Sequence, residues 1–521
     1  MAANDGLWIA PDGEYQDLVR DLCGSDPRLC QPDEKMSGYE VHWSSRQCRV
    51  LALEFQHNGS DGATPVSLPP HEFRDAETLR RHFSEQQEQH TNTVYIVEGA
   101  NRDFVGVLGP HFNLHPSAFM EYERIRAVAG PPNQGQSTVL ASNYATRDYI
   151  CLSYQELVLV PDPVRGKFRA RCPDTARLIR GARLNGEFGK VGTVHRKCVF
   201  WSRTRPANDG WDSIVICDPP LRRIRIFDDG PMKGLELPAA PGLPGDGYVD
   251  FIPLDAQARC RRGPPRTSIA DDMIFYLTTH SDLVDMSYPN SVSLFLKKIV
   301  ASHHTKHFDY LRKYAMETLR GMGRQSNFAR FDLSAVEANW SDIQTLERRL
   351  SHFFIDLEES LVQLRVPLDT PNPNQIISWQ DVEADFRFLY HRFKWVRESV
   401  DRVNSSLTGL ASIAGNRQAF REQEVSLRLA ERSRNLTFIG LLFIPLSLIS
   451  SIFSMAEPYG PGQDKFWIYF VICIPAAIFV VTTYYVSDLL VSSSRAFLGS
   501  FRGLPTVRPW WRSDQSVEKM A

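Results

Sequence analysis

Two uncharged apolar runs in the C-terminal part of the chain constrain its fold more than any other feature. They occupy residues 436–455 and 466–486, with a polar connection of ten residues between them. A helix of about 20 residues rises about 30 Å, which matches the hydrocarbon core of a bilayer. The second run also carries Trp and Tyr near both ends, where a membrane interface favours them. The runs predict a hairpin of two spanning helices, because such runs rarely adjoin in a soluble core.

The charges beside these runs predict the orientation of the hairpin. Arginines flank both outer ends, whereas the connection carries Lys465 against two acids. Positive charge favours the cytoplasmic side, so both termini are expected in the cytoplasm. The N-terminal residues show neither a secretory signal nor an Arg-rich presequence. The plasma membrane is therefore the expected location, with an internal membrane as the alternative. The flanking arginines are Arg428, Arg432, Arg434, Arg495, Arg502, Arg508 and Arg512.

Composition and motifs exclude several classes of function for the chain outside the two apolar runs. The 521 residues are 43% hydrophobic and 23% charged, which is typical of water-soluble domains. A net charge of −2 argues against general nucleic-acid binding. The nine cysteines are scattered without a CxxC pair and are expected to be reduced thiols. No P-loop, HExxH, GxSxG or GxGxxG motif is present, and the glycines of 185–192 lack a GK-[ST] ending and predict a turn. An enzyme is therefore not expected.

Four regions follow from the hydrophobic pattern. Residues 1–275 are predicted to form a cytosolic α/β domain, 276–434 a helical hairpin and stalk, 435–490 the two-span hairpin, and 491–521 a basic cytosolic tail. The Gly- and Pro-rich stretch 229–266 is predicted to be a loop. Predicted strands cover 48–55, 93–98, 149–160, 197–201 and 213–217, and predicted helical segments cover 76–87, 102–108, 290–320, 335–366 and 379–455.

The last predicted helix carries a heptad seam, with apolar residues at steps of four and three. If unbroken, its 77 residues would extend about 115 Å and enter the first span as a rod. Packing within the helical hairpin is an alternative role for the seam, and the residues leave the choice open. The seam residues are Val382, Phe386, Leu389, Phe393, Val396, Val400, Val403, Leu407 and Leu410.

A histidine cluster lies on the helix predicted at 290–320. His303 and His307 are one turn apart, a spacing that can share a metal. Asp309 belongs to a different face of the helix, so no local ligand set is complete. A solvated helix face is therefore the prediction for His303, His304 and His307.

Small and polar residues follow one side of the first span. Gly440, Ser447, Ser451 and Ser454 recur at intervals of seven, four and three. Such a stripe is either a helix-packing face or the wall of a narrow hydrated pore, and periodicity alone favours packing. A single two-span chain cannot enclose a water-filled path, so a pore would need several copies.

The residues 443–455, FIPLSLISSIFSM, followed by a short loop and Phe466-Trp467, resemble the CorA family of divalent-cation channels, particularly its fungal-type branch. The order of parts agrees as well, and residues 93–122 look like the strand-then-helix segment of that family's cytosolic sheet. The resemblance implies a homo-oligomer, expected to be a pentamer, in a lipid bilayer, with the first span of each subunit lining the pore. The expected pore-lining residues are Gly440, Ile444, Ser447, Ser451 and Ser454.

One departure from the family concerns its Gly-Met-Asn signature at the outer end of the first span, where the resemblance implies that an asparagine ring holds a hydrated cation. The matching residues here are Ser454, Met455 and Ala456. Ala456 offers only its backbone carbonyl to a hydrated Mg²⁺, which is recognised through oxygen acceptors. In a pentamer, Glu457 and Asp464 would form carboxylate rings that attract cations. An ordinary solvated loop is the alternative for both acids.

The expected function is a channel or transporter for divalent cations, Mg²⁺ above all, with the ion as cargo and no resident cofactor. The alternative is a non-conducting membrane-anchored scaffold or sensor that keeps this architecture. The two differ in the first span, since conduction needs a hydrated axis and a scaffold tolerates bulky apolar residues there. No regulatory metal site is evident in the cytosolic part.

Overall fold

The chain forms two compact units, residues 1–409 and residues 410–521. In the first unit, the helices that follow residue 268 pack against the sheet in one shared core. The boundaries of the four predicted regions stay a prediction. The computed structural model describes residues 14–26, 29, 48–56, 64–65, 69–85, 91–123, 140–160, 168–175, 177–184, 187–205, 210–226, 233–237, 251–253, 264, 268–325, 333–367, 378–455, 461–462 and 464–500.

A mixed sheet forms the centre of the first unit. Its order is β11-β10-β6-β7-β8-β9-β4-β1-β2, with β3 added beside β1 and β5 beside β8. Strands β4 and β9 pair in parallel, and the other described pairs are antiparallel. The strands are β1 (Arg49–Gln56), β2 (Thr64–Pro65), β3 (His71–Phe73), β4 (Asn92–Glu98), β5 (Tyr149–Leu159), β6 (Arg169–Arg171), β7 (Leu178–Leu184), β8 (Glu187–Thr204), β9 (Trp211–Cys217), β10 (Arg223–Ile226) and β11 (Lys233–Glu236).

Helices cover both faces of this sheet and continue into the second unit. They are α1 (Glu14–Ser25), α2 (Ala76–Glu85), α3 (Arg102–Phe112), α4 (Pro116–Glu123), α5 (Ala141–Ala145), α6 (Ile269–Thr279), α7 (Ser293–Gln325), α8 (Leu333–Gln363), α9 (Val382–Met455) and α10 (Trp467–Ser500). Short 3₁₀ turns at Ser281–Leu283 and Pro289–Val292 connect α6 to α7.

The alternation of side chains along the strands creates two cores. Leu51 and Leu53 of β1 face one way and pack with α6, α7, α8 and the first part of α9. Val50 and Ala52 face the other way and pack with α1, α2, α3 and α4. Every residue of β4 and of β9 is buried, as a strand covered on both faces requires. The first unit is therefore a three-layer α/β/α arrangement, which agrees with the predicted fold class.

The predicted strands all exist, but several strands were not predicted. The strand expected at 197–201 is the end of the 18-residue β8, which begins at Glu187. Residues 187–192 of the predicted turn 185–192 are therefore strand, and the prediction was wrong for them because Gly192 pairs with Gly181 of β7. Residues 185–186 lie outside those that the structure describes. A Cβ atom at Gly192 would lie only 3.0 Å from Cγ2 of Ile179 and 3.3 Å from Cγ2 of Val158, so the close packing at this position suits glycine. The expected loop 229–266 contains β11, and its other residues lie largely outside those the structure describes.

The first part of the heptad seam packs inside the first unit. The seam side chains between Val382 and Val400 are buried in the core shared with α7 and α8. The ring of Phe393 lies 4.0 Å from that of Phe353 on α8 and 5.0 Å from that of Phe308 on α7. This part of the seam therefore stabilises the helical layer within one chain. The side chains of Leu407 and Leu410 lie outside the described set.

A buried ion pair fixes the carboxyl end of β9. The Arg177 guanidinium contacts both oxygens of Asp218, with Nε 3.0 Å from Oδ2 and Nη2 3.0 Å from Oδ1, and it donates to the Tyr122 carbonyl. Arg196 lies beside the same carboxylate at 3.9 Å and pairs with Glu156. Burial alone would raise the pKa of Asp218, but Arg177 and Arg196 lower it below its ordinary value. The pair ties β7 and β8 to β9 and α4.

Replacing Asp218 by asparagine should lower the free energy of unfolding by about 3 to 5 kcal/mol, because two buried guanidinium groups lose their carboxylate. Chemical denaturation of the full-length protein in detergent micelles measures the loss. The double variant Arg177→Met/Asp218→Leu should lose less, since it leaves no charge of this pair unpaired.

The exposed pair Arg223–Asp174 provides the control, because its arginine side chain is 53% exposed. Arg223→Gln should cost under about 1 kcal/mol. An Asp218→Asn variant no less stable than Arg223→Gln would contradict this role for the buried pair.

Candidate functional site

The second unit contains both helices that are long and apolar enough to cross a membrane. The candidate spans are Gln418–Met455, the C-terminal part of α9, and Trp467–Val486, the first part of α10. No residue of their apolar windows is fully buried within the chain. Exposed apolar side chains of this number, including Ile444 at 72% and Phe479 at 71%, need a lipid or protein environment. The two predicted spans, 436–455 and 466–486, coincide with these helices.

The two spans pack against each other as an antiparallel hairpin. The ring of Phe438 lies 4.4 Å from that of Tyr484, and at the other end the ring of Phe453 lies 6.0 Å from that of Tyr469. A half-buried stripe on each helix joins these contacts. On α9 it consists of Phe438, Leu442, Pro445, Leu446, Ile449 and Phe453, and on α10 of Tyr469, Cys473, Ala476, Ala477, Val480, Val481 and Tyr484.

The predicted pore-lining residues lie on the other side of α9. Ile444, Ser447, Ser451 and Ser454 are exposed, and Gly440 is half-buried. At about 100° per residue, the centre of this set lies roughly 170° around the helix from the centre of the packing stripe. The serine face is therefore not the surface on which the hairpin of one chain packs. Packing against α10 of the same chain does not account for it, while packing against another helix and a pore wall both stay predictions.

The signature positions lie at the end of α9. Ser454 and Met455 are its last two residues, and both are exposed. Ala456 and Glu457 lie outside the residues that the structure describes. Asp464 is exposed in the turn immediately before α10. The carboxylate of Asp464 is thus at the same end of the hairpin as the signature positions.

The histidine cluster differs from its prediction. His304 is 0% exposed and His307 is 5% exposed, so these residues do not form a solvated helix face. The His304 ring packs edge-on against Phe353 and Phe386, and the His307 ring lies 4.9 Å from the ring of Phe353. His303 stacks on Tyr154 of β5. The prediction was wrong because α7 packs against the sheet and also against α8 and α9, so its polar face is covered as well.

Burial holds the imidazoles of His304 and His307 in the neutral form. It lowers the pKa of His304 to about 4 and, with help from the neighbouring His304 and Arg349, that of His307 to about 3. Among the described residues no group of three or more His, Cys, Asp or Glu side chains is placed to hold a metal ion.

Comparisons with known proteins identify one family for part of the chain. The model of the family described as CorA-like Mg2+ transporter protein matches residues 282–487, about two fifths of the sequence. The match runs from the 3₁₀ turn after α6 to the end of the second candidate span. This family is one of transporters rather than enzymes, in agreement with the prediction that the chain is not an enzyme. No curated protein sequence matches the chain.

Two solved structures match over most of this chain but superpose poorly. One is the CorA magnesium transporter from Methanocaldococcus jannaschii, 10% identical, with 83% of this chain and 96% of that chain covered and a TM-score of 0.29. The other is the full-length CmaX protein, 12% identical, with 85% and 98% covered and a TM-score of 0.26.

The buried histidines should make the protein less stable in acid. A histidine has a pKa of about 6.5 when unfolded, and the folded values of His304 and His307 are lower. The stability that depends on these neutral histidines is therefore fully present above about pH 6.5. It is lost as the pH falls toward 4, because in that range the unfolded chain binds protons that the folded chain does not. Replacing His304 by phenylalanine should reduce the loss of Tm between pH 7.5 and pH 5.

The measurement is the Tm of the full-length protein in detergent, followed by intrinsic fluorescence at both pH values. His391→Gln is the control, since His391 is exposed on α9. An equal loss of Tm in His304→Phe and in the unmodified protein would contradict the assignment to the buried histidine.

Proposed function

We propose that this chain is a CorA-type membrane channel or transporter for divalent cations, with Mg²⁺ as the expected cargo and α9 lining the pore. The observation that carries the proposal is the position of the serine face. Ser447, Ser451 and Ser454 are exposed on the side of α9 opposite its packing stripe. Polar hydroxyls turned away from the hairpin are costly in lipid and favourable beside water.

Several copies of the chain are needed for a conducting path. Each chain supplies two candidate spans, which pack on each other and enclose no channel between them. A ring of α9 helices, each presenting its serine face to a common axis, would surround a hydrated path and leave α10 toward the lipid. The resemblance to the family gives five copies, and the match over 282–487 supports this class of protein.

Cation selectivity in this proposal rests on oxygen ligands rather than on a protein cage. Mg²⁺ loses water reluctantly, so a hydrated ion would be held through its water molecules. The hydroxyls of Ser454 and the backbone carbonyls of Ala456 would face those waters. Rings of Glu457 and Asp464 at the mouth would raise the local concentration of cations by focusing the field.

A non-conducting scaffold or sensor is the second candidate, and the sequence of the signature favours it. Ala456 replaces the asparagine that the family resemblance places at the pore mouth. Ile444, within the expected pore-lining set, is bulky and apolar. A ring of such side chains can close a pore by excluding water. In this case the hairpin anchors the first unit to the membrane and assembles it.

A tryptophan at position 447 should block ion flux, because five indoles would fill a narrow axis. Purified protein in liposomes that contain a Mg²⁺-sensitive dye gives the measurement. We expect influx for the unmodified chain and a reduction of at least about tenfold for Ser447→Trp, equivalent to a barrier increase of about 1.4 kcal/mol.

Ile478→Trp is the matched control, since Ile478 is 58% exposed on the second span. It should retain flux within about twofold, because α10 lies outside the proposed axis. Equal flux in Ser447→Trp and Ile478→Trp would contradict the pore assignment of the serine face.

The variant Ala456→Asn separates the channel from the scaffold. The channel proposal expects the unmodified chain to conduct and the asparagine to increase flux or Mg²⁺ selectivity, since an amide oxygen adds an acceptor for the hydrated ion. Flux in Ala456→Asn alone, or in neither protein, would support the scaffold.

A further inference from the structure

A small cavity with several charged and polar side chains in its lining lies inside the first unit, between the sheet and the helices α7 and α8. Its volume is about 80 Å³. Since one water needs about 10 to 15 Å³ of such a volume, the cavity has room for several waters or for one five-atom oxyanion. It is lined by Gln155, Leu178, Arg180, Thr193, His195, His307, Tyr310, Leu311, Arg349, His352, Phe353 and Asp356.

The charged groups of this lining are predominantly basic. Arg180 from β7 and Arg349 from α8 face the same cavity, and Asp356 is the acid among the lining residues. Asp356 lies 3.5 Å from Nε2 of His195, so its charge is directed toward that imidazole. Burial and the positive charges of Arg349, Arg169 and Arg348 lower the pKa of Arg180, which indicates a positive potential at this position.

Two buried polar atoms at the cavity have no hydrogen-bond partner among the residues that the structure describes. Arg349 donates from Nη2 to the Gly181 carbonyl at 2.8 Å, but its buried Nη1 has no hydrogen-bond partner among the described residues. The same holds for Nδ1 of His307, whose residue is 95% buried. A buried donor without an acceptor costs about 1 to 3 kcal/mol, more when it is charged. Such groups favour a ligand that brings acceptor oxygens.

We propose that this cavity is a binding site for a small tetrahedral oxyanion of the phosphate class. The anion would accept hydrogen bonds from Nη1 of Arg349 and from Arg180, with imidazoles of His195, His307 and His352 around it. Guanidinium groups suit this ligand, since their planar donors match the oxygens of phosphate. The anion would cross-link β7 and β8 to α7 and α8, and so connect the sheet to the helical layer.

A cation does not fit the same cavity. Two guanidinium groups repel it, and the described residues contain no cluster of three metal-ligating side chains. The site is thus separate in place and in charge from the cation path proposed for the hairpin.

Equilibrium dialysis of the full-length protein in detergent against radiolabelled inorganic phosphate, at constant ionic strength, tests the proposal. We expect saturable binding of one phosphate per chain. Arg349→Gln and Arg180→Gln should each raise the Kd by at least about tenfold, the loss expected for one charge-assisted hydrogen bond. Lys313→Gln is the control on the exposed side of α7 and should change the Kd by less than about twofold, because Lys313 does not line the cavity and solvent screens its charge.

Asp356→Asn supplies a test of opposite sign that does not depend on loss of binding. Removing the acid of the cavity should tighten phosphate binding by several-fold, since a like charge no longer opposes the anion. Adenosine monophosphate should fail to displace phosphate, because its nucleoside exceeds the cavity. Absence of saturable binding, equal Kd values for Arg349→Gln and the unmodified protein, weaker binding in Asp356→Asn, or displacement by the nucleotide would each overturn the proposal.

Discussion

The burial of β4 and β9 on both faces is the constraint on which the first unit depends. These strands carry apolar residues at nearly every position, so a single layer of helices would leave one half of their side chains in water. The α1 to α4 layer covers one face and the α6 to α9 layer covers the other. Because the two strands are parallel, the carboxyl end of each lies at the same edge, where Glu98 and Asp218 meet Arg49 and Arg177. The ion pairs Arg49–Glu98 and Arg177–Asp218 connect these strand ends to neighbouring segments.

The elements that could be predicted from the sequence are those with a local signal, either a continuous apolar run or a regular helical spacing. Continuous apolar runs located β1, β4, β5 and β9 to within a few residues, and the seam located α9. Strand β7 was not predicted because its sequence, LIRGARL, interrupts the apolar residues with two arginines and a glycine and follows no regular alternation. Glycine is unfavourable in strands in general, but here Gly181 lies under the ring of Phe168, where a Cβ atom would clash. Such a contact between distant residues has no local signal.

The same distinction applies to the candidate sites. The spans and the serine face could be predicted because their helical period is local to one segment. The cavity could not, since Arg180, His195, His307 and Arg349 come from four separate elements and meet only through the register of β7 with β8 and the packing of α7 and α8. The histidines gave a misleading signal for a related reason. Polar residues on a helix usually indicate water, yet α7 has protein on the sheet side and on the α8 side.

The helix α9 has a consequence for how this protein is made. Its seam residues, from Val382 to Val400, complete the core of the first unit. The first apolar run begins at residue 436, only about thirty-five residues after Val400. Domains fold progressively as the chain leaves the ribosome, and here the last part of the core is synthesised just before the segment that must enter the bilayer. Final closure of the core and delivery of the hairpin to the insertion machinery therefore fall in the same short interval of translation.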